Sequence, residues 1–428
     1  MNRRVFLERV LGGTAVSFAA LADLNARVYE DLAALDRAAG GQPSPDGAYW
    51  EAIKQQYVFE DGLIMMNNGT VGPVPKPVFD TAVNYLRMQM TAPCDCYLYL
   101  PSRLDEVRAK VAKFVGASPE EIAILRNTTE GINFFIGGLD MKAGDEVLMS
   151  NLEHPGGINP LRLKAKRHGI AVKEAALGVP PASKEEIVDA FARAITPKTR
   201  VLLVSHTVYK TGLITPIKEL SDLAHRHKAL IIGDSAHGVG MIDMNLAATG
   251  IDCWSSSPYK WLGAPAGTGV FYLKRDVQDH VWPTVASGGW DTYKDARRFE
   301  TLSQRNDALI MALGEAIEFQ NHIGRQRIER RIRTLAAHLK EGLAAIPKVR
   351  LHTNTDPALS AGLTAFSIPG VDPNEIVNHV REKYNIVVRT IGDKQTNSVG
   401  VRVSTHVWIS LKDVDLLLQG VGELARRA

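Results

Sequence analysis

Lys260 sits in the run Ser255-Ser256-Ser257-Pro258-Tyr259-Lys260-Trp261-Leu262-Gly263, downstream of Asp234-Ser235-Ala236-His237. A lysine amine is protonated at neutral pH unless its surroundings disfavour the charge, so an amine that must attack a carbonyl is placed among apolar groups. Pro258, Tyr259, Trp261 and Leu262 supply such neighbours. A lysine after a run of hydroxyls, preceded by a strand that ends in aspartate, is what holding an aldehyde cofactor as an imine requires. Pyridoxal phosphate makes three further demands: donors for its phosphate, a carboxylate facing its ring nitrogen, and a partner for its phenolic oxygen. Ser257 and Tyr259 meet the first, Asp234 the second and His237 the third. The aspartate matters most, because an ionised carboxylate keeps the pyridine nitrogen protonated and makes the ring a better electron sink. Each residue alone has an ordinary reading, a solvated lysine or a capping aspartate; the joint pattern carries the argument.

These groups have to be brought to one place, and the pattern upstream is that of parallel α/β units. Apolar spacing predicts a helix over 104–115, then a buried strand over 122–125. Asn127 with Glu130 three residues on resembles a capping box opening the next helix. Free amides at such a start favour an anion, so Thr128 and Thr129 are phosphate candidates. A strand over 146–149 ends near Glu153-His154-Pro155, and a histidine leaving a strand's carboxyl end sits where open α/β sheets place ligands. His154 is a candidate to lie over the cofactor ring. Strands over 200–205 and 230–234 follow, the second delivering Asp234 to the same edge. The turn-rich stretch Asn67-Asn68-Gly69-Thr70-Val71-Gly72-Pro73 reads as a loop bordering the site, with Asn68 a substrate-binding candidate. Beyond about Ser287 long helices are predicted over 308–323 and 326–346, with strands over 363–368, 386–389 and 401–404, as in a smaller α+β domain. The boundaries read as 1–22 leader, 23–48 helix and linker, 49–286 large domain and 287–428 small domain, with the N-terminal segment contributing to the small domain. Arg402 alternates with Val401 and Val403, which by default points it outward.

The 428 residues suffice for two domains, and 45% hydrophobic with 23% charged residues fits a soluble globular protein. A formal charge of +3 and the lack of a basic stripe argue against nucleic acid. Three cysteines, Cys94, Cys96 and Cys253, make no disulfide framework and no zinc spacing, so no metal is expected. Arg3-Arg4-Val5-Phe6-Leu7, a mild apolar run and Ala20-Leu21-Ala22 resemble a twin-arginine export signal. The apolar run is too short to span a bilayer, so export to the periplasm or beyond, without stable membrane insertion, is the expectation. A cytosolic chain with a merely helical N-terminus is the alternative. Twin-arginine export carries folded proteins, so a cofactor made in the cytoplasm can be loaded first.

Asn127-Thr128-Thr129-Glu130-Gly131, Glu153-His154-Pro155, Asp234-Ser235-Ala236-His237, Ser257-Pro258-Tyr259-Lys260 and Arg402-Val403-Ser404 together resemble the class V aminotransferase family of fold type I pyridoxal-phosphate enzymes, in its isopenicillin N epimerase-like branch. The resemblance implies an α/β fold: a large domain with a mostly parallel central sheet and a smaller α+β C-terminal domain. It implies Lys260 as the Schiff-base lysine, Asp234 as the ring-nitrogen partner and His154 stacked on the ring, these three being catalytic. Thr128, Thr129, Ser257 and Tyr259 would surround the phosphate and His237 would lie near the phenolic oxygen. Arg402 would grip the substrate α-carboxylate, a role suited to a planar bidentate group. Gly267 and Thr268 match a segment reaching a neighbouring subunit's phosphate, which implies a homodimer with its site at the interface.

Three departures bear on the reaction. Cysteine desulfurases of the family carry a nucleophilic cysteine on the loop before the carboxylate-binding arginine, and 391–400 contains none, which disfavours a desulfurase. Tyr209 stands for the family's frequent asparagine near the phenolic oxygen, and Tyr259 for the usual histidine before the lysine. The expectation is an enzyme acting at Cα of an amino acid, transaminase or epimerase-like. A C–S β-elimination lyase is one alternative. An exported, non-catalytic ligand-binding protein on the same fold is the alternative from another class.

Overall fold

In a computed structural model, residues 18–41, 43–392 and 400–427 are described. The paired arginines and the stretch 393–399 lie outside the described residues. The short apolar runs form a seven-stranded sheet: β1 (Ile122–Leu125), β2 (Glu146–Ser150), β3 (Ala171–Ala175), β4 (Thr199–Ser205), β5 (Leu230–Ser235), β6 (Cys253–Ser256) and β7 (Gly269–Leu273). Its order is β1-β7-β6-β5-β4-β2-β3. β7 runs antiparallel to both neighbours, and every other pair is parallel. Such a sheet is covered on both faces, so its strands read as continuous apolar runs. β1 shows this: Ile122 and Ile124 enter the core on one face, and Ala123 and Leu125 enter a separate core on the other. Because β7 reverses twice, the carboxyl ends of β1, β2, β5 and β6 share one edge, and the loops carrying Thr128, His154, Asp234 and Lys260 leave from it.

The helices used below are α1 (Phe18–Ala38), α2 (Lys76–Thr91), α3 (Pro93–Val115), α4 (Thr128–Gly138), α5 (Pro155–His168), α6 (Asp307–Ile323), α7 (Arg325–Ala345) and α8 (Leu411–Arg427). α3 starts earlier than the apolar spacing predicts, with Pro93 in its first turn and Pro101 inside it. A proline in the first turn gives up a donor that has no helical partner there. Cys94 and Cys96 therefore lie in the first turns of this helix, Cys94 exposed and Cys96 buried.

A second sheet is antiparallel, in the order β10-β11-β9-β8 for β8 (Arg350–Leu351), β9 (Leu363–Ser367), β10 (Arg389–Ile391) and β11 (Gly400–Ser404). Its core joins Leu335 and Leu339 of α7, Val401 and Val403 of β11 and Leu417 of α8 to Leu32, Trp50, Ile53 and Met66 from the N-terminal segment. Ile64–Met65 pairs in parallel with Ile386–Val387. Trp261, the residue after the candidate lysine, is buried in this same cluster. Among the described residues no helix is long and apolar enough to cross a membrane, and no group of His, Cys, Asp and Glu could hold a metal ion.

Candidate active site

β5 and β6 lie side by side with Asp234 opposite Ser255, so the chain leaving β6 turns back over the aspartate. The turn is tight: the Lys260 amide donates to Ser257 O at 3.1 Å and the Leu262 amide to Pro258 O at 3.0 Å. Lys260 Nζ comes within 3.4 Å of His237 Nε2, and the Trp261 indole donates to His237 Nδ1 at 3.1 Å. Burial lowers the Lys260 pKa to about 8; Arg402 and Arg389 push the same way, and Asp234 opposes them. Asp234 is buried, which raises its pKa, while the Ala236 amide and Lys260 favour its ionised form. Its Oδ1 accepts the Ala236 amide at 3.2 Å. Burial holds His237 well below its usual pKa, so the ring is neutral.

At the expected phosphate end, Asn127 caps α4 by accepting the Glu130 amide at 3.0 Å. The reciprocal half of the capping box is not made; the Glu130 carboxylate takes the Arg126 amide at 2.8 Å instead. Thr128 Oγ1 lies 2.8 Å from Ser257 Oγ, and the Thr128 amide donates to the same oxygen at 3.2 Å. Two hydroxyls and a helix N-terminus converge there, whereas Ser255 and Ser256 spend their hydroxyls on Thr128 O and Ser235 O. Thr129 is exposed, and a Cβ on Gly156 would fall 2.7 Å from its Oγ1, which joins the starts of α4 and α5. The Tyr259 hydroxyl makes no hydrogen bond among the described residues, and its carbonyl accepts the Gly72 amide at 2.8 Å.

Two of the expected residues are turned inward within the single chain. Thr268 is 0% exposed within a single chain, and its hydroxyl donates to Pro265 O at 2.8 Å. That turn engages the hydroxyl within the chain; the exposed tip beside it is Ala266 and Gly267, which carry no side-chain donor. Asn68 is also 0% exposed. Its amide donates to Lys260 O at 3.1 Å, clamping the lysine's backbone, while its Oδ1 is buried with no partner among the described residues.

The carboxylate end centres on Arg402, which is 2% exposed and not outward-facing. Its Nη1 donates to Tyr209 O at 2.8 Å, and its Nη2 to Asn67 Oδ1 at 3.3 Å and Thr70 Oγ1 at 3.2 Å. Nε is buried without a partner, and among the described residues no acidic group pairs with it. Burial, then Arg389, lowers its pKa to about 10. Arg389 faces Arg402 across the β10–β11 pair and donates to Thr70 Oγ1 at 3.1 Å. His154 is the N-cap of α5, its Nδ1 accepting the Gly156 amide at 2.9 Å, and its ring stands edge-on to Tyr209 at 4.7 Å. Partial burial and the cations Lys260, Arg389, Arg402 and Lys210 lower its pKa to about 4.

Arg389, Thr70, Trp261 and Glu153 line or support this arrangement and were not singled out from the sequence. Arg389 and Thr70 carried no signal of their own; Glu153 stood inside a recognised motif, and Trp261 was noted only as an apolar neighbour. The donor set fits pyridoxal phosphate. Asp234 is a buried carboxylate with one hydrogen bond among the described residues, as a pyridinium partner requires. The paired hydroxyls of Thr128 and Ser257 at a helix start suit a phosphate. Arg402 is a buried cation without a counter-ion, a costly state unless an anion arrives.

Fold and site together define a pyridoxal-phosphate enzyme of fold type I. A family model described as aminotransferase class V matches residues 66–417, and the chain belongs to that family. It is 30% identical over 400 residues to the isopenicillin N epimerase of Amycolatopsis lactamdurans, an alignment covering 88% of this chain and 99% of that one. It is 28% identical over 388 residues to a probable cysteine desulfurase of Methanothermobacter thermautotrophicus, covering 85% and 94%. Among solved structures, a mutant of C-DES with glycine covalently linked to its PLP cofactor superposes with a TM-score of 0.78 at 22% identity, covering 86% and 99%. The cysteine desulfurase of Thermococcus onnurineus does so with a TM-score of 0.77 at 24% identity, covering 88% and 98%. Epimerases and desulfurases both appear among the relatives, and the structural likeness speaks to the fold alone.

Proposed function

We propose that the protein removes the proton at Cα of an amino acid and has one returned to the opposite face by a separate donor, in the manner of an epimerase, with Lys260 as the proton carrier on its own face and Arg402 as the carboxylate grip. The observation that carries this reading is a buried guanidinium with no acidic partner among the described residues in the same cluster as an amine whose pKa is lowered to about 8. When bound, pyridoxal phosphate supplies an aldehyde carbon and a ring that takes up electrons released at Cα. Asp234 holds the ring-nitrogen side, and Thr128 with Ser257 the phosphate side. Arg402 orients the substrate by its carboxylate and leaves the α-amino group and Cα toward Lys260. A lysine poised near 8 is suited to both accepting and donating a proton close to neutrality.

Similarity to isopenicillin N epimerases at 30% and 28% identity over most of both chains supports epimerisation. The lack of a cysteine across 391–400 counts against transfer of sulfur to an enzyme thiol. Incubating the holoenzyme with a panel of L-amino acids and short peptides in deuterated water tests the reading. Deuterium at Cα and the inverted enantiomer are expected, both lost in Lys260→Ala together with the visible absorption band. Keto acid or an eliminated sulfur fragment as the main product would replace this reading by transamination or lysis. Binding of an amino acid with no turnover at all would favour a ligand-binding protein. We also propose a homodimer, in accord with the exposed Trp282, Trp290 and Tyr293; sedimentation at the mass of one chain would refute it.

A further inference from the structure

His237 has two ring nitrogens with different neighbours, and only one placement of its proton satisfies both. The Trp261 indole N–H is a donor with no acceptor capacity, and it lies 3.1 Å from Nδ1. Nδ1 therefore presents a lone pair, which an imidazolium does not have. The one proton of the neutral ring is on Nε2, 3.4 Å from Lys260 Nζ. An ammonium at that position would set N–H against N–H, whereas a neutral amine accepts the bond through its lone pair.

We infer that Trp261 is a positioning residue that fixes the tautomer of His237 and, through the Nε2–H so placed, favours the neutral amine of Lys260 that captures the cofactor aldehyde. Once the lysine nitrogen is engaged, the same N–H is free for an oxygen acceptor beside it. The inference rests on Lys260 being the capturing amine.

The indole is itself held from the C-terminal domain. Its ring is fully buried and stacks on His406 with centroids 5.4 Å apart; His406 stacks in turn on Trp408 at 3.9 Å. The proton of His406 is assigned by the same reasoning. Its Nδ1 accepts the Val407 amide at 2.8 Å, so Nε2 donates to Trp261 O at 2.9 Å. Gln320 donates to that carbonyl as well, at 2.8 Å, and the Trp408 indole is tied to Met65 O at 2.9 Å. Asp234, Arg402 and Arg389 also act on the lysine through space, and nearby His154, its pKa lowered to about 4, is neutral near pH 7; all four remain in place when only the indole N–H is removed.

The test uses apoprotein labelled with nitrogen-15 in histidine. Long-range proton–nitrogen correlation at pH 7 is expected to show His237 neutral and protonated on Nε2. Protonation on Nδ1, or an imidazolium, overturns the inference without any variant and whatever the enzyme's reaction. Trp261→Phe keeps the ring stack and deletes the donor. It is expected to give a mixed tautomer and to raise the midpoint of the pH profile for pyridoxal-phosphate capture by about one pH unit, roughly tenfold slower capture at pH 7. An unchanged tautomer and midpoint in that variant would overturn it too. Failure of the wild type to capture the cofactor at all would strike the role of Lys260, leaving the tautomer result standing.

Discussion

Glu153 is a buried carboxyl with no cation paired to it among the described residues. It is tied instead to the Ser150 hydroxyl at 2.6 Å and the Ser205 hydroxyl at 2.5 Å. Burial raises its pKa to about 7, the nearby Asp234 adds to this, and the two serines oppose it. Unfolded, the same group titrates near its ordinary 4.5. Between those values the native state binds more protons, so the stability Glu153 contributes is complete below about pH 4.5 and is lost as pH rises to about 7. The loss is on the order of 2–3 kcal/mol for a shift of this size. Glu153→Gln cannot titrate. In urea unfolding of the apoprotein, the variant should match the wild type near pH 5 and exceed it by pH 8; parallel curves would show that Glu153 is ionised throughout. This residue marks the limit of sequence reading at the site. Lys260, Asp234 and His237 were legible because residue types of matched chemistry fall together in the chain. Arg402 was legible through the family resemblance alone, because alternation with valines normally marks an exposed face, whereas every residue of β11 is buried. Thr268 was named from the family resemblance alone, and within one chain its hydroxyl bonds Pro265 O.

Among the elements, the parallel strands were readable from their apolar runs and the start of α4 from its cap. The start of α3 was not, since Cys94 to Leu100 are apolar nearly all round apart from Asp95, lie between two prolines and show no helical period. The loop over 67–75 was placed beside the site on turn residues alone, and its real task is mechanical. The Gly72 amide bonds Tyr259 O at 2.8 Å and Asn68 bonds Lys260 O at 3.1 Å, so the loop holds the lysine turn from outside. A Cβ at Gly72 would fall 2.5 Å from Lys260 O and 3.1 Å from Tyr259 O. Both are backbone atoms in a tight turn and cannot swing aside. Gly72→Ala is therefore expected to cost roughly 1–3 kcal/mol of stability, the usual range for overpacking, and to weaken retention of pyridoxal phosphate. Gly422→Ala in α8 is the control: its Cβ would meet only Arg426 Nη1 at 3.6 Å, and alanine is the better helix former by about 0.5–1 kcal/mol. Thermal melts and cofactor retention on dialysis compare the two; a Gly72→Ala protein as stable and as cofactor-bound as wild type would show that the loop yields.

At the scale of the whole molecule, the N-terminal helix meets the C-terminal half in a way that bears on export. α1 runs from Phe18 to Ala38, so a cut after Ala22 would fall inside it. Asp23 and Leu24 are exposed. Docking begins at Asn25, which donates to Glu315 Oε1 of α6 at 3.1 Å. The Tyr29 hydroxyl bonds the same carboxylate and its ring stacks on His322 at 3.8 Å; Leu32 is buried, and Asp36 pairs with Arg327 of α7 at 2.9 Å. A chain beginning at Asp23 keeps every one of these contacts. We propose that the leader is removed there, after the folded, cofactor-loaded protein has crossed the membrane by the twin-arginine route. Fractionation of producing cells should then find mature protein beginning at Asp23 outside the cytoplasm. The double substitution Arg3→Lys, Arg4→Lys should hold a full-length, yellow, active protein inside. A chain trimmed to residue 23 should melt like the full-length one, whereas trimming to residue 39 strips the Glu315, His322 and Arg327 contacts and should lower the melting temperature, by roughly 1 °C for each kcal/mol lost in a chain of this size. Wild-type protein found wholly in the cytoplasm with residues 1–22 intact would make those residues a plain extension of α1.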